Sequence, residues 1–304
     1  MLEILIPTYN RAIYLSRNLQ SLESEIMKHG LQDKVKITIS DNASQDDTDE
    51  IVASFKKRPI RVHYHRNESN IGLERNMVEI TKISSGPYLL YLGDDDYLAE
   101  GYLSYCLKKI EESPAIALII PGIGNLTPGG KFTPGRLENF DEVMLPAGYD
   151  SALKYSHFGH QLSGLVFKGP GFLDFYLDHA KHRNLYPFVN FVTYQMLNFP
   201  SLYVPKFKTA ISIENEKDWS YNNIGLIDEV YKAYYPFTSV LQHKKVTDLV
   251  IRFIVMHSYR LDFEQNPLKL FGKLIDQAPG LPSLRRKLAF LLLKEYIKNR
   301  SIAK

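Results

Sequence analysis

The chain from Leu2 to Pro121 predicts an α/β fold: a mostly parallel sheet with helices on both faces, followed by a helical C-terminal extension. Two observations carry this. Short apolar runs alternate with helical patterns, and a turn- or carboxylate-rich segment follows each of several runs. With 44% hydrophobic and 23% charged residues, the chain can bury a sizeable core, which excludes global disorder.

Leu2–Pro7 reads as a strand and Ala12–Lys28 as a helix, with Leu15, Leu19, Leu22 and Ile26 at three- and four-residue spacings. Val35–Ser40 alternates as a second strand. Asp46–Phe55 is a helix opened by carboxylates and hydroxyls. Ile60–His65, Tyr88–Leu92 and Ala115–Pro121 are the next strands, separated by helices at Gly72–Ile83 and Ala99–Glu112. Pro121–Pro146 interleaves Gly122, Gly124, Gly129, Gly130 and Gly135 with Pro128 and Pro134, and reads as a long loop or irregular hairpin. Tyr149–Asn222 is mixed and aromatic-rich, with a strand expected at Gly159–Phe167. After Ile227 the pattern is predominantly helical.

A net charge of +3 gives no reason to expect a nucleic-acid partner. The single cysteine, Cys106, excludes an internal disulfide and any multi-cysteine metal site. Met1–Pro7 has no basic region or long apolar stretch, so no secretion signal is expected there, and no run is long enough to span a bilayer. The expectation is a cytoplasmic protein that meets a membrane only at its surface, on the inner face of the plasma membrane.

The most informative segment is Gly93-Asp94-Asp95-Asp96, after the Tyr88–Leu92 strand. Three adjacent carboxylates suit a hard divalent cation shared with phosphates, although aspartates at this position would also cap the following helix. Three further motifs follow earlier strands: Pro7-Thr8-Tyr9-Asn10-Arg11, Ser40 to Thr48 (Ser-Asp-Asn-Ala-Ser-Gln-Asp-Asp-Thr), and Asn70-Ile71-Gly72-Leu73-Glu74-Arg75-Asn76. Each is weak alone. In open α/β sheets, however, ligands bind beyond the carboxyl ends of the strands, where all four fall.

In this order the motifs resemble family 2 of the GT-A-fold glycosyltransferases, which use nucleotide-sugar donors. The resemblance implies that Pro7, Tyr9 and Arg11 line a nucleotide pocket and that Asp41 accepts a hydrogen bond from the nucleobase edge. It implies that Gly72, Arg75 and Asn76 wall the base and donor. Asp94 would face the nucleotide sugar, Asp95 would stand beside it in the turn, and Asp96 would hold Mn²⁺ or Mg²⁺. Residues 1–222 are then the catalytic domain, with a nucleotide-binding half (1–120) and an acceptor-binding half (121–222); residues 223–304 are the helical extension.

A glycosyl transfer that inverts the anomeric centre needs a base near the acceptor hydroxyl. Family members of the better-known type carry an acidic residue after the acceptor loop, but Asn184–Phe191 has no carboxylate. Asp174, Asp178, His157 and His160 are the alternatives, with Asp174 and His160 put forward as catalytic. Trp219, in the polar segment Glu214–Tyr221, suits stacking on an acceptor sugar or anchoring of a loop. The tail, residues 281–304, combines Arg285, Arg286, Lys287, Lys294, Lys298, Arg300 and Lys304 with an apolar Leu288–Leu293. Such a helix suits an anionic membrane surface, a dock on the catalytic domain, or a homodimer contact.

The expected function is transfer of a sugar from a nucleotide-diphosphate donor to a hydroxyl of a glycan or lipid-linked oligosaccharide. The Ile6–Arg11 opening and the Gly-Asp-Asp-Asp form resemble bacterial enzymes of surface-polysaccharide assembly, including the abequosyltransferase-like group. Two other readings use the same fold. One is a nucleotidyltransferase, disfavoured because Pro7–Arg11 lacks a glycine-rich triphosphate loop; the other is a nucleotide-sugar-binding protein without catalysis.

Overall fold

A computed structural model of the chain describes residues 1–135, 141–213 and 225–257, with positions 287, 290, 293 and 294. Strand β1 (Leu2–Thr8) is buried throughout and lies between β2 (Val35–Asp41) and β4 (Tyr88–Tyr91), parallel to both. β3 (Arg61–Arg66) continues the parallel set beyond β2. Strands covered on both faces are apolar in nearly continuous runs rather than alternating, as β1 and β4 are. On one face α1 (Ala12–Lys28), α2 (Thr48–Phe55) and α4 (Tyr102–Glu112) bring Leu15, Leu19, Leu22, Val52 and Leu103 against Ile4, Ile6, Ile37 and Leu90. On the other, α3 (Leu73–Ile83) buries Met77 and Ile80 and joins the sheet through Thr81, whose hydroxyl meets that of Tyr91 at 2.5 Å.

One acidic side chain is built into this core. Glu3, fully buried on β1, accepts from the Thr38 hydroxyl (2.5 Å) and from the amides of Ser85 (2.9 Å) and Gly86 (2.6 Å), with Lys36 at 3.0 Å. Burial alone pushes its pKa up, but the hydrogen bonds from Thr38 and Ser85 and the nearby Lys36 together hold it below the ordinary carboxylate value. These bonds fix the turn that starts β4.

Beyond β4 the sheet becomes mixed. Its order is β3-β2-β1-β4-β8-β5-β9-β7, with β8 (Val166–Lys168) antiparallel between β4 and β5 (Leu118–Leu126), β9 (Ser201–Ser212) parallel to β5, and β7 (Val143–Leu145) antiparallel on β9. Of the long loop or irregular hairpin expected at Pro121–Pro146, the structure shows the hairpin: β5 runs on to Leu126 and pairs antiparallel with β6 (Phe132–Pro134), and β7 follows. The strand expected over Gly159–Phe167 shrinks to β8. The reason is Gly164, which sits at φ +86° with Thr209 and Pro121 so close that a Cβ would come within 2.4 Å of the Thr209 hydroxyl.

The remaining described α-helices are α5 (Tyr149–Tyr155), α6 (Gly171–Asp178), α7 (Pro187–Asn198), α8 (Gly225–Tyr234) and α9 (His243–Met256). The chain divides into two packed units, Met1–Gly148 with Gln161–Phe175 and Tyr194–Lys217, and Tyr149–His160 with Tyr176–Thr193 and Asp218–Lys304. Among the described residues all nine strands belong to the first. The second has an aromatic core that includes Phe158, Phe191, Tyr234, Phe237 and Phe253. Among the described residues no helix is long and apolar enough to cross a membrane.

Candidate functional site

In the first unit, three loops leave the carboxyl edge of the parallel strands and are hydrogen-bonded into one assembly. The first follows β1. Asn10 takes a left-handed conformation (φ 52°), its amide donating to Ser44 Oγ (2.8 Å) while its Oδ1 accepts from the Gln45 amide (2.7 Å). The start of α1 is tied to the same neighbour: the Ala12 amide, one of the donors a helix leaves unsatisfied, donates to Asp46 Oδ2 at 2.8 Å. Burial raises the Asp46 pKa, but the hydrogen bonds from Thr48 and Ala12 outweigh it and hold the carboxyl below its usual range.

The second loop follows β2. Asp41 is fully buried, Oδ1 accepting from the Ser44 amide (3.0 Å) and hydroxyl, Oδ2 from the Tyr64 hydroxyl (2.9 Å), with Arg66 Nη1 at 3.5 Å. Tyr64 also donates to Asp49, and burial with these two carboxylates pushes its phenol pKa far up. Next to it Ala43 sits at φ 65°, a strained conformation for a residue with a Cβ. An amide network then reaches the loop before α3. Asn42 Oδ1 accepts from the Ile71 amide (2.9 Å) and Asn67 (3.2 Å), and Asn42 Nδ2 donates to Asn70 (2.7 Å). Asn76 Oδ1 accepts from Ser40 (2.7 Å) and Asn67 (3.0 Å).

The third loop is the acidic turn. Asp94 Oδ2 accepts from the Thr8 hydroxyl (2.8 Å) and Oδ1 from Arg11 Nε (3.0 Å), while Arg11 Nη2 reaches Asp95 Oδ2 at 2.5 Å. Burial pushes the Asp94 pKa up to about 7, against the pull of the Arg11 guanidinium. Asp96 turns the other way: Oδ1 accepts from the Ser212 amide (2.9 Å) and Oδ2 from the Ser163 hydroxyl (2.5 Å), which itself accepts from the Gly93 amide (2.9 Å). A Cβ on Gly93 would come within 2.8 Å of Asp96 Oδ2, so glycine lets that carboxylate fold back over the turn. Beneath, Asn18 donates to the carbonyls of Gly93 (3.1 Å) and Asp96 (2.6 Å).

The structure therefore brings Pro7, Tyr9, Arg11, Asp41, Gly72, Arg75, Asn76 and the triplet to one edge. Their surroundings differ. Tyr9 is exposed, as is Arg75 in the first turn of α3, which makes no hydrogen bond or ion pair among the described residues. Asn76 and Asp41 are buried among protein partners. Gly72 precedes α3 at φ +85° with open space around it.

Asp174 is not brought to this edge. β8 runs antiparallel to β4 and ends opposite Tyr88, so α6 starts at the far end of the sheet, with Asp174 exposed in its first turn. His160 belongs to the second unit. There its Nδ1 lies 3.0 Å from both the His157 carbonyl and His257 Nε2, and His257 Nδ1 lies 2.9 Å from the Phe253 carbonyl. A carbonyl demands an N–H, so His257 is protonated on Nδ1 and His160 on its own Nδ1. Trp219 and nearly all of residues 281–304 lie outside the described residues. Thr8, Asn18, Asp46, Ser163 and Ser212 are the residues that sequence reasoning missed. Only Thr8 and Asp46 stood inside recognised motifs.

A sheet whose parallel strands gather these loops at their carboxyl edge is the architecture of the GT-A fold. Residues 3–152 match the family model for glycosyl transferase family 2, and this half of the chain belongs to that family, as the motifs implied. Over 119 residues it is 35% identical to abequosyltransferase RfbV of Salmonella typhimurium, covering 39% of this chain and 35% of that one. Over 146 residues it is 30% identical to the Campylobacter jejuni GalNAc(5)-diNAcBac-PP-undecaprenol beta-1,3-glucosyltransferase, covering 47% and 45%. The chain thus spans less than half the length of these relatives. Staphylococcus aureus TarS 1-349, solved in complex with UDP, shares the fold (TM-score 0.67, 16% identity, 98% of this chain and 88% of that one). So does a mannosyltransferase of Pyrobaculum calidifontis in complex with GDP-Man and Mn²⁺ (TM-score 0.57, 13% identity, 98% and 82%).

A divalent cation is common in this fold. The triplet has the right chemistry, hard anionic oxygens, but its partners occupy them. Arg11 bridges Asp94 and Asp95, and Ser163 and Ser212 hold Asp96, the expected cation ligand. Among the described residues no group of three or more His, Cys, Asp or Glu is placed to hold an ion. As arranged, these residues do not fit a cation.

Proposed function

We propose that the chain transfers a sugar from a nucleotide-diphosphate donor to a hydroxyl of a glycan or lipid-linked oligosaccharide in bacterial surface-polysaccharide assembly. The observation that carries this reading is the joining of the loops after β1, β2 and β4 into one hydrogen-bonded edge, with motif order and family match in agreement. In this reading Tyr9 stacks on the base, and the loop anchored by Asp41 and the asparagine network forms its wall. Arg75 meets a phosphate. A cation in the first turn of a helix is disfavoured by the helix dipole, and an anionic ligand relieves that cost. Positive charge at this edge stabilises the diphosphate as the glycosidic bond breaks. Residues 121–222 take the acceptor, with Trp219 on its sugar face, and residues 281–304 meet an anionic membrane surface.

The test is a thermal-shift screen of UDP, GDP, CDP and dTDP, followed by donor hydrolysis and transfer with the sugar nucleotides of whichever base binds. A nucleotide at a hundredfold excess over its Kd stabilises the native state by about 2.7 kcal/mol, a readable shift. No shift with any of the four, and no release of nucleotide from any donor, would overturn the reading.

A further inference from the structure

The acidic turn has a counter-ion of its own. Arg11 spans Asp94 and Asp95 with one nitrogen to each, and its guanidinium lies 4.4 Å from the centre of the Tyr14 ring. Both carboxylates are buried and Arg11 is largely covered. Asp96 receives the Ser212 amide and the Ser163 hydroxyl. A guanidinium matches this arrangement: it is planar, always charged, and able to serve two carboxylates at fixed spacing.

We propose that Arg11 is the resident cation of this turn and competes with divalent metal for Asp94 and Asp95. Two cations a few ångströms apart in a buried setting repel strongly, so a metal ion enters only as Arg11 swings out. The free protein therefore holds Mn²⁺ weakly, and whatever draws the guanidinium away strengthens metal binding; a phosphate-bearing ligand that pairs with Arg11 does so. By linkage, metal then strengthens the binding of that ligand by the same factor. The metal-alone measurement does not depend on the glycosyl-transfer reading, so the two can fail separately.

The test titrates the 304-residue chain with Mn²⁺ alone, without nucleotide, and reads free Mn²⁺ by electron paramagnetic resonance. Arg11→Gln should bind Mn²⁺ at least about tenfold more tightly than the wild type, a gain of about 1.4 kcal/mol. Adding Asp95→Asn to that variant should abolish the gain. Arg11→Gln binding no more tightly than the wild type would overturn the proposal, as would a gain that survives Asp95→Asn. If circular dichroism shows that Arg11→Gln does not fold, Arg11→Lys is read instead. Its single ammonium cannot bridge both carboxylates, so a smaller gain is expected, and none at all would be equally fatal.

Discussion

Replacing Asp96 by alanine separates a strut from a metal ligand. The carboxylate accepts the Ser212 amide and the Ser163 hydroxyl in a buried setting, so its removal strands two donors. Each buried unsatisfied donor costs roughly 1–3 kcal/mol, which puts Asp96→Ala at about 3 kcal/mol after partial relaxation. At roughly 2–4 °C per kcal/mol for a domain of this size, the melting temperature should fall by about 6–12 °C. Asp96→Asn keeps one acceptor for Ser212 and turns its amide to Ser163 Oγ, so its loss should be about 1 kcal/mol. The assay is thermal unfolding in the presence of a chelator, which removes any contribution from metal. A ligand used only for metal would leave both variants as stable as the wild type under those conditions. Asp96→Ala melting within about 1 °C of the wild type would refute the reasoning.

Three further substitutions test the frame around the site. Glu3→Gln should lower stability near neutral pH by about 2–4 kcal/mol, since hydrogen bonds to a charged acceptor are lost. Because the folded Glu3 pKa lies below its ordinary 4.5, this contribution is present above that value and is lost as pH falls through the folded pKa. The gap in urea midpoint between variant and wild type should therefore close under acid conditions, and a gap constant down to about pH 3 would contradict it. Gly72→Ala should cost about 1–3 kcal/mol through backbone strain alone, as its Cβ meets nothing within 4 Å; an unchanged urea midpoint would show that φ +85° is not maintained. Ala43→Gly should be neutral or stabilising by up to about 1 kcal/mol, relief of the left-handed strain outweighing the entropy of glycine. Clear destabilisation in the same assay would mean that the Ala43 methyl packs against something that matters.

The parallel half of the sheet was legible because its signals are local. Apolar runs on β1 and β4 and leucine spacing on α1 each follow from burial of the segment that carries them. β9 was not legible, and Pro205 is the cause: a proline in the middle of a strand argues against the strand. In the structure it falls in a bulge where the pairing jumps from Pro121↔Val204 to Gly122↔Lys208, so no ladder amide is required of it. The same missing strand hid half of the site. Ser212, at the end of β9, and Ser163, just before the Gly164 turn, decide which way Asp96 faces, from positions 116 and 67 residues away. The triplet's chemistry could be read from three adjacent carboxylates, but its division of labour could not. In a turn, adjacent side chains point in different directions, and which of them meets a cation depends on partners the local sequence does not contain. Thr8 and Arg11 claim Asp94, Arg11 claims Asp95, and Ser163 and Ser212 claim Asp96. Asp96 was read as a cation ligand from its place in the triplet; the two donors that hold its carboxylate come from distant segments that the triplet itself gives no sign of.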